Sequence, residues 1–224
     1  MKRINLYPIL TLSLWLAHLI NLYIWLKLDI NYLTYDAHRH FLLSLKIFDE
    51  YKRFSPDIFF RCIALTQRHP PFVMMITAPF YLIFGRSQDA GVMINSAVFL
   101  GILIFATYKI GKNILSPRAG LLAAFILTLY PVVFNQSKVY MLDLPLTAMV
   151  ALSMYLLIMS DNLRNLKYSS LLLAIVILGV FTKQSFMLFM LGPLFYAIMK
   201  NLLYYNKNNK FDFLVKSKKI TFSL

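Results

Sequence analysis

Nine acidic side chains and four histidines are the whole supply of acid, base and hard metal-ligand groups in this 224-residue chain, so their placement can be read one at a time. Asp36 sits in Tyr35-Asp36-Ala37-His38-Arg39-His40. A carboxylate beside imidazoles can bind a metal ion or take a proton from a hydroxyl. It can equally cap a helix, and His40 then lies one turn away on the helix face. His38 and His40, two positions apart, diverge on a helix and make a poor metal pair. Asp143 opens the uncharged run 144–160, either as an N-cap or as a second acid. Lys183 interrupts an apolar stretch, either as a snorkelling anchor or as a cation held for a phosphate. His69 stands before Pro70-Pro71, an extended entry into an apolar segment, and His18 lies within the first apolar run as a packed polar residue. No Walker loop, dinucleotide fingerprint or HExxH pattern is present, and the single Cys62 excludes both an internal disulfide and a cysteine zinc site.

The elements that must position these groups are membrane elements. Hydrophobic residues make up 59% of the chain and charged residues only 14%, against about 25% charged in an ordinary soluble domain. Residues 8–28 match the ~20 apolar residues needed to cross the hydrocarbon core. They follow Lys2 and Arg3 and precede Lys27 and Asp29, the pattern of a retained anchor with a cytoplasmic N-terminus. Uncharged runs follow at 90–108, 119–137 and 144–160, and the stretch 168–199 is long enough for two crossings. The expected fold is an all-α integral membrane protein with about six transmembrane helices. The net charge of +14 is assigned to the cytoplasmic face and to anionic membrane lipids rather than to nucleic acid.

The segment 29–69 is the only large polar one. Phe41, Leu42, Leu45 and Phe48 recur in it at helical spacing opposite Arg39, Lys46, Asp49, Lys52 and Arg53, which predicts an amphipathic helix along the membrane surface. Ser55-Pro56-Asp57 predicts a break, and 58–67 a second short helix. Residues 70–85 are uncharged but short, with Pro79 in the middle. If they do not cross, only Lys138 and Lys183 of the thirteen Lys and Arg beyond residue 90 face outward. If they cross, the assignment reverses. The expectation is therefore a bent or re-entrant segment on the outer side, within a first outer loop spanning 29–90.

The order of these features resembles the N-terminal half of the GT-C glycosyltransferases, similar to protein O-mannosyltransferases and bacterial aminoarabinose transferases. The resemblance runs from about residue 6 to 200 and rests on YDAHRHFLLSLK, HPPF before APFYLIFG, TYKIGKNILSPRAGLLAAFILTLYP, NQSKVYMLDLPL and GVFTKQSF. It implies a membrane glycosyltransferase that moves a sugar from a polyprenyl-phosphate donor to a lipid, glycan or protein acceptor at the outer face. Asp36 matches the family's first-loop acid and Asp143 its second, as catalytic groups or as ligands of a divalent metal. His69 and Lys183 match positions near the donor phosphate. Ala37 departs from members that carry an acidic pair. The resemblance also divides the chain into a module over 1–200 and a basic cytoplasmic tail over 201–224. Relatives continue through further helices, so the chain alone is expected to be truncated or inactive. The rival readings are a small transporter or channel, with ionisable groups at mid-membrane depth, and a non-catalytic membrane partner.

Overall fold

The structure, a computed structural model, describes residues 6–28, 34–53, 55–66 and 69–221, with side chains through Tyr205. Lys2, Arg3 and Asp29, and the side chains of the tail lysines past that point, lie outside the described residues. Every regular element among the described residues is helical. Helix α1 (Leu6–Leu28) turns apolar side chains outward: Leu6, Leu12, Ile20 and Tyr23 are each more than half exposed. Helix α5 (Gln88–Ile114) runs through the interior, whereas α10 (Phe186–Thr221) is again peripheral as far as Tyr205. These three are long and apolar enough to cross a membrane. A surface with this much exposed Leu, Ile and Phe is stable only against hydrocarbon. The protein is an integral membrane protein.

Three shorter apolar helices complete the bundle: α6 (Pro117–Leu129), α8 (Asp143–Met159) and α9 (Leu166–Val180). Local chemistry sets their starts. The Ser116 hydroxyl accepts from the Ala119 amide at 3.2 Å with Pro117 in the first turn, and the Asn165 side chain accepts from the Tyr168 amide at 3.4 Å. The run expected at 119–137 is not one helix. It breaks at Tyr130, which is extended (φ −66°, ψ 123°), and resumes as the short α7 (Pro131–Gln136), because Pro131 disfavours helix in the residue before it. The last stretch does divide in two, at the 181–185 turn.

Contacts between helix ends define two ends of the bundle. At one end the Ser96 hydroxyl donates to the Ser137 carbonyl, Asn95 Nδ2 to the Met141 carbonyl at 3.3 Å, and Lys183 pairs with Asp143. At the other, Arg118 Nε donates to the Tyr7 hydroxyl at 3.1 Å, Asn113 approaches the Met159 sulfur at 3.0 Å, and Arg164 stacks over the Tyr204 ring at 3.8 Å. Helices α1, α5, α6, α8, α9 and α10 each run from one end to the other. The segment 70–85 does not. It forms α4 (Phe72–Phe84), roughly 20 Å long and bent by a 3-10 turn at Ala78–Phe80, where Pro79 removes a backbone donor. Its start donates from the Phe72 amide to the Phe181 carbonyl at 3.1 Å, and just beyond its end Arg86 pairs with Asp49. The first contact lies beside the Lys183 turn, and the second ties the turn before α5 to α2.

Helices α2 (Tyr35–Tyr51) and α3 (Ile58–Thr66) flank the Ser55-Pro56-Asp57 break as the spacing predicts. The buried stripe of α2 is rotated from the expected one. Ala37, His40, Phe41, Ser44, Ile47 and Phe48 are buried, while Leu42 is 43% exposed. The cause lies in α4: its Tyr81 hydroxyl bonds the Ser44 hydroxyl at 2.8 Å, and its ring meets Phe41 and Phe48 edge-on. Helix α2 therefore packs on α3 and α4 rather than lying on the lipid by its Leu42 edge. Asp49, expected on a solvated face, joins α2 to the turn before α5 through Arg86.

Candidate functional site

Lys183 is placed by the turn that ends α9. Its amide donates to the Gly179 carbonyl at 3.2 Å, the Thr182 hydroxyl donates to the Leu178 carbonyl at 2.9 Å, and the Phe186 amide returns to the Lys183 carbonyl at 2.9 Å. Gly179 is what lets the turn close. A Cβ there would lie 2.4 Å from the Phe186 ring, which is fully buried. The ammonium sits just past a helix C-terminus, where the helix dipole favours a cation, and its Nζ is 2.5 Å from Asp143 Oδ1. Asp143 is not the cap of α8, since Leu142 holds that position, and its carboxylate is spent on Lys183. Both side chains keep about a third or more of their surface exposed, so the pair is held in place yet open to an incoming anion.

His69 reaches the same end by a different route. Its amide donates to the Thr66 carbonyl at 2.8 Å, and together with Pro70, Pro71, Phe181 and Gln184 it lines a cavity of about 240 Å³ beside the Lys183 turn. Its ring stands edge-on to His40, 4.9 Å between centroids and 83° between planes. His40 is 4% exposed, and its Nδ1 has no hydrogen-bond partner among the described residues. Burial pushes its pKa down from 6.5 to about 4. His69, Arg39 and Lys183 push the same way, and Asp36 opposes them. His40 is therefore a neutral imidazole at neutral pH.

Asp36 lies in the first turn of α2, exposed, one turn before His40. It does not cap the helix, because Thr34 occupies the cap position. No hydrogen bond or ion pair among the described residues ties Asp36 to Asp143. Its link to the other groups is electrostatic, through His40, which feels both Asp36 and Lys183. The structure thus gathers all four expected site residues at one end: Lys183 bonded to Asp143, His69 edge-on to His40, and Asp36 one turn before His40. His40 was not among them. Its i,i+4 spacing to Asp36 was legible, but its partner His69 is distant in sequence.

As a divalent-metal site the arrangement is a poor fit. Among the described residues no three His, Cys, Asp or Glu side chains form a metal-holding group, and an ammonium already occupies the Asp143 carboxylate.

The profile of the dolichyl-phosphate-mannose-protein mannosyltransferase family matches residues 68–214, more than half of the chain. The chain belongs to that family. No curated protein and no solved structure matches it. Family membership makes it a membrane glycosyltransferase of the mannosyltransferase type and sets aside the transporter reading. The matched segment of this mannosyltransferase relative holds His69, Asp143 and Lys183, while Asp36 and His40 precede it.

Proposed function

We propose that the Asp143 end of the bundle faces the outer side of the membrane and transfers a sugar from a polyprenyl-phosphate donor to an acceptor hydroxyl. One observation supports this above all. A cation on a fixed turn, two imidazoles set edge-on and an exposed carboxylate gather where helices end, so they can reach a lipid-borne phosphate and an aqueous acceptor together.

The reaction is a single displacement. The acceptor oxygen forms a bond to the anomeric carbon as the bond from that carbon to the phosphate oxygen breaks, and configuration inverts. Asp36, exposed and without an ion-pair partner among the described residues, takes the acceptor proton. The electron pair leaves on the polyprenyl phosphate, whose added charge is offset by the Lys183 ammonium and by an N–H of His69. Asp143 orients Lys183, and sharing that cation lets the phosphate draw closer as its charge grows. No step is routed through a metal, and addition of a chelator is expected to leave the rate unchanged.

The test uses the chain, or a longer form that transfers if the chain alone does not, in proteoliposomes with labelled polyprenyl-phosphate mannose and a hydroxyl acceptor. Asp36→Asn keeps size and polarity but removes the base, and transfer should fall by about 100-fold or more, with insertion and expression unchanged. Equal transfer by the variant and the parent chain would remove Asp36 from the mechanism.

A further inference from the structure

A groove runs between α1 and α5 toward the far end of the bundle. Its wall on α5 is a single stripe in which Gly101, Phe105, Tyr108 and Lys112 follow one another at i, i+4, i+7 and i+11. Trp15 of α1 forms the facing wall, fixed by its indole N–H donating to the Ala97 carbonyl at 3.0 Å. The groove encloses about 480 Å³ and is apolar along most of its length. It turns basic only at its last turn, where Lys109 and Lys112 line it together. Tyr108, 2% exposed, lines it at the same level, and its hydroxyl has no hydrogen-bond partner among the described residues.

This face is rigid. On the adjoining face of α5, Gly111 packs on Gly120 of α6 so closely that a Cβ at Gly111 would lie 2.7 Å from the Gly120 Cα. Tyr108 and Lys112 are part of that contact, since a Cβ at Gly120 would meet the Tyr108 carbonyl and the Lys112 amide within 3 Å. The two lysines are thus set on an immobile helix turn. Among the described residues no carboxylate lines the groove to neutralise them.

We propose that this groove binds an anionic phospholipid of the surrounding membrane, one acyl chain lying along Trp15 and Phe105 and the phosphate held by Lys109 and Lys112. Charge complementarity identifies the occupant. The groove is flanked by the exposed apolar Leu12 and Phe105, its chain-length portion is apolar, and among the described residues its charges are two cations at one end. The site is separate from the Asp143–Lys183 end and does not depend on sugar transfer.

The full chain, purified in detergent, is incubated with equal amounts of phosphatidylglycerol and phosphatidylcholine of identical acyl chains, and retained lipid is read by native mass spectrometry. The parent chain should retain phosphatidylglycerol preferentially. Lys109→Gln with Lys112→Gln should cut that preference about tenfold. The Lys109→Arg, Lys112→Arg pair and Lys167→Gln, at an exposed lysine outside the groove, should leave it in place. Equal retention of the two lipids by the parent chain overturns the proposal even if a variant fails to fold. A loss in Lys167→Gln as large as in the double variant overturns it too, since diffuse surface charge would then be the cause.

Discussion

The Asp143–Lys183 contact combines two positions that the sequence offers with separate explanations, a helix cap and a snorkelling lysine. Once paired, each accounts for the other. The aspartate fixes an ammonium that would otherwise range over the headgroup layer, and the ammonium keeps the aspartate from acting as a free base. Because both are well exposed, the pair contributes little stability, about 0–1 kcal/mol. Asp143→Asn should therefore shift thermal unfolding only slightly while weakening retention of polyprenyl-phosphate mannose in a detergent binding assay. A large unfolding shift with unaltered binding would make the pair structural.

His40 gives a pH signature. Its folded pKa lies below its unfolded one, so the neutral form is the folded form. The unfolded chain takes up a proton first as pH falls through 6.5, and stability is lost down to about pH 4. The loss reaches about 2 kcal/mol by pH 5. His40→Gln should flatten unfolding temperature against pH over that window, and an unchanged slope would place the titration elsewhere.

At the scale of elements, the ends of helices do more for the site than their middles. The 181–185 turn depends on Gly179, where an added methyl must displace the buried Phe186 ring. Gly179→Ala should cost about 1–3 kcal/mol and misplace Lys183, lowering donor retention as well. Gly192 in α10 has nothing within 4 Å of an added Cβ, so Gly192→Ala should be neutral or stabilising by up to about 1 kcal/mol. Thermal unfolding of the two variants in detergent separates a close-approach glycine from a dispensable one. Helix α2 carries the other half of the site, and the rotation set by its Ser44 bond to Tyr81 of α4 is what brings His40 edge-on to His69.

At the scale of the molecule, the Phe72 amide at the start of α4 bonds the Phe181 carbonyl and Arg86 beyond its end pairs with Asp49, so α2 and the turn after α9 are expected to share a membrane face. Single cysteines in a Cys62→Ser background test this in intact cells with a membrane-impermeant thiol reagent. Asp89→Cys and Gln184→Cys should label, whereas Leu115→Cys and Leu166→Cys should be protected until the membrane is opened. Labelling of position 115 together with protection of position 89 would mean that α4 crosses.

The sequence by itself determined the solvent, the helical class and most of the breaks. Apolar run length, proline and capping residues act locally, so Pro79, Ser116-Pro117 and the 181–185 turn are legible along the chain. It also placed Asp36, His69, Asp143 and Lys183 at one end, because the alternation of crossings and the sparse lysines constrain sidedness. Which groups touch was decided only by the tertiary structure. The 40-residue separation of Asp143 and Lys183, the stacking of His40 on His69 and the turning of α2 away from its Leu42 edge depend on which neighbour each helix packs against. A hydrophobic stripe sets only the approximate face of a helix. A single buried hydroxyl pair, Ser44 with Tyr81, costs enough when unmade to settle the rotation within that face.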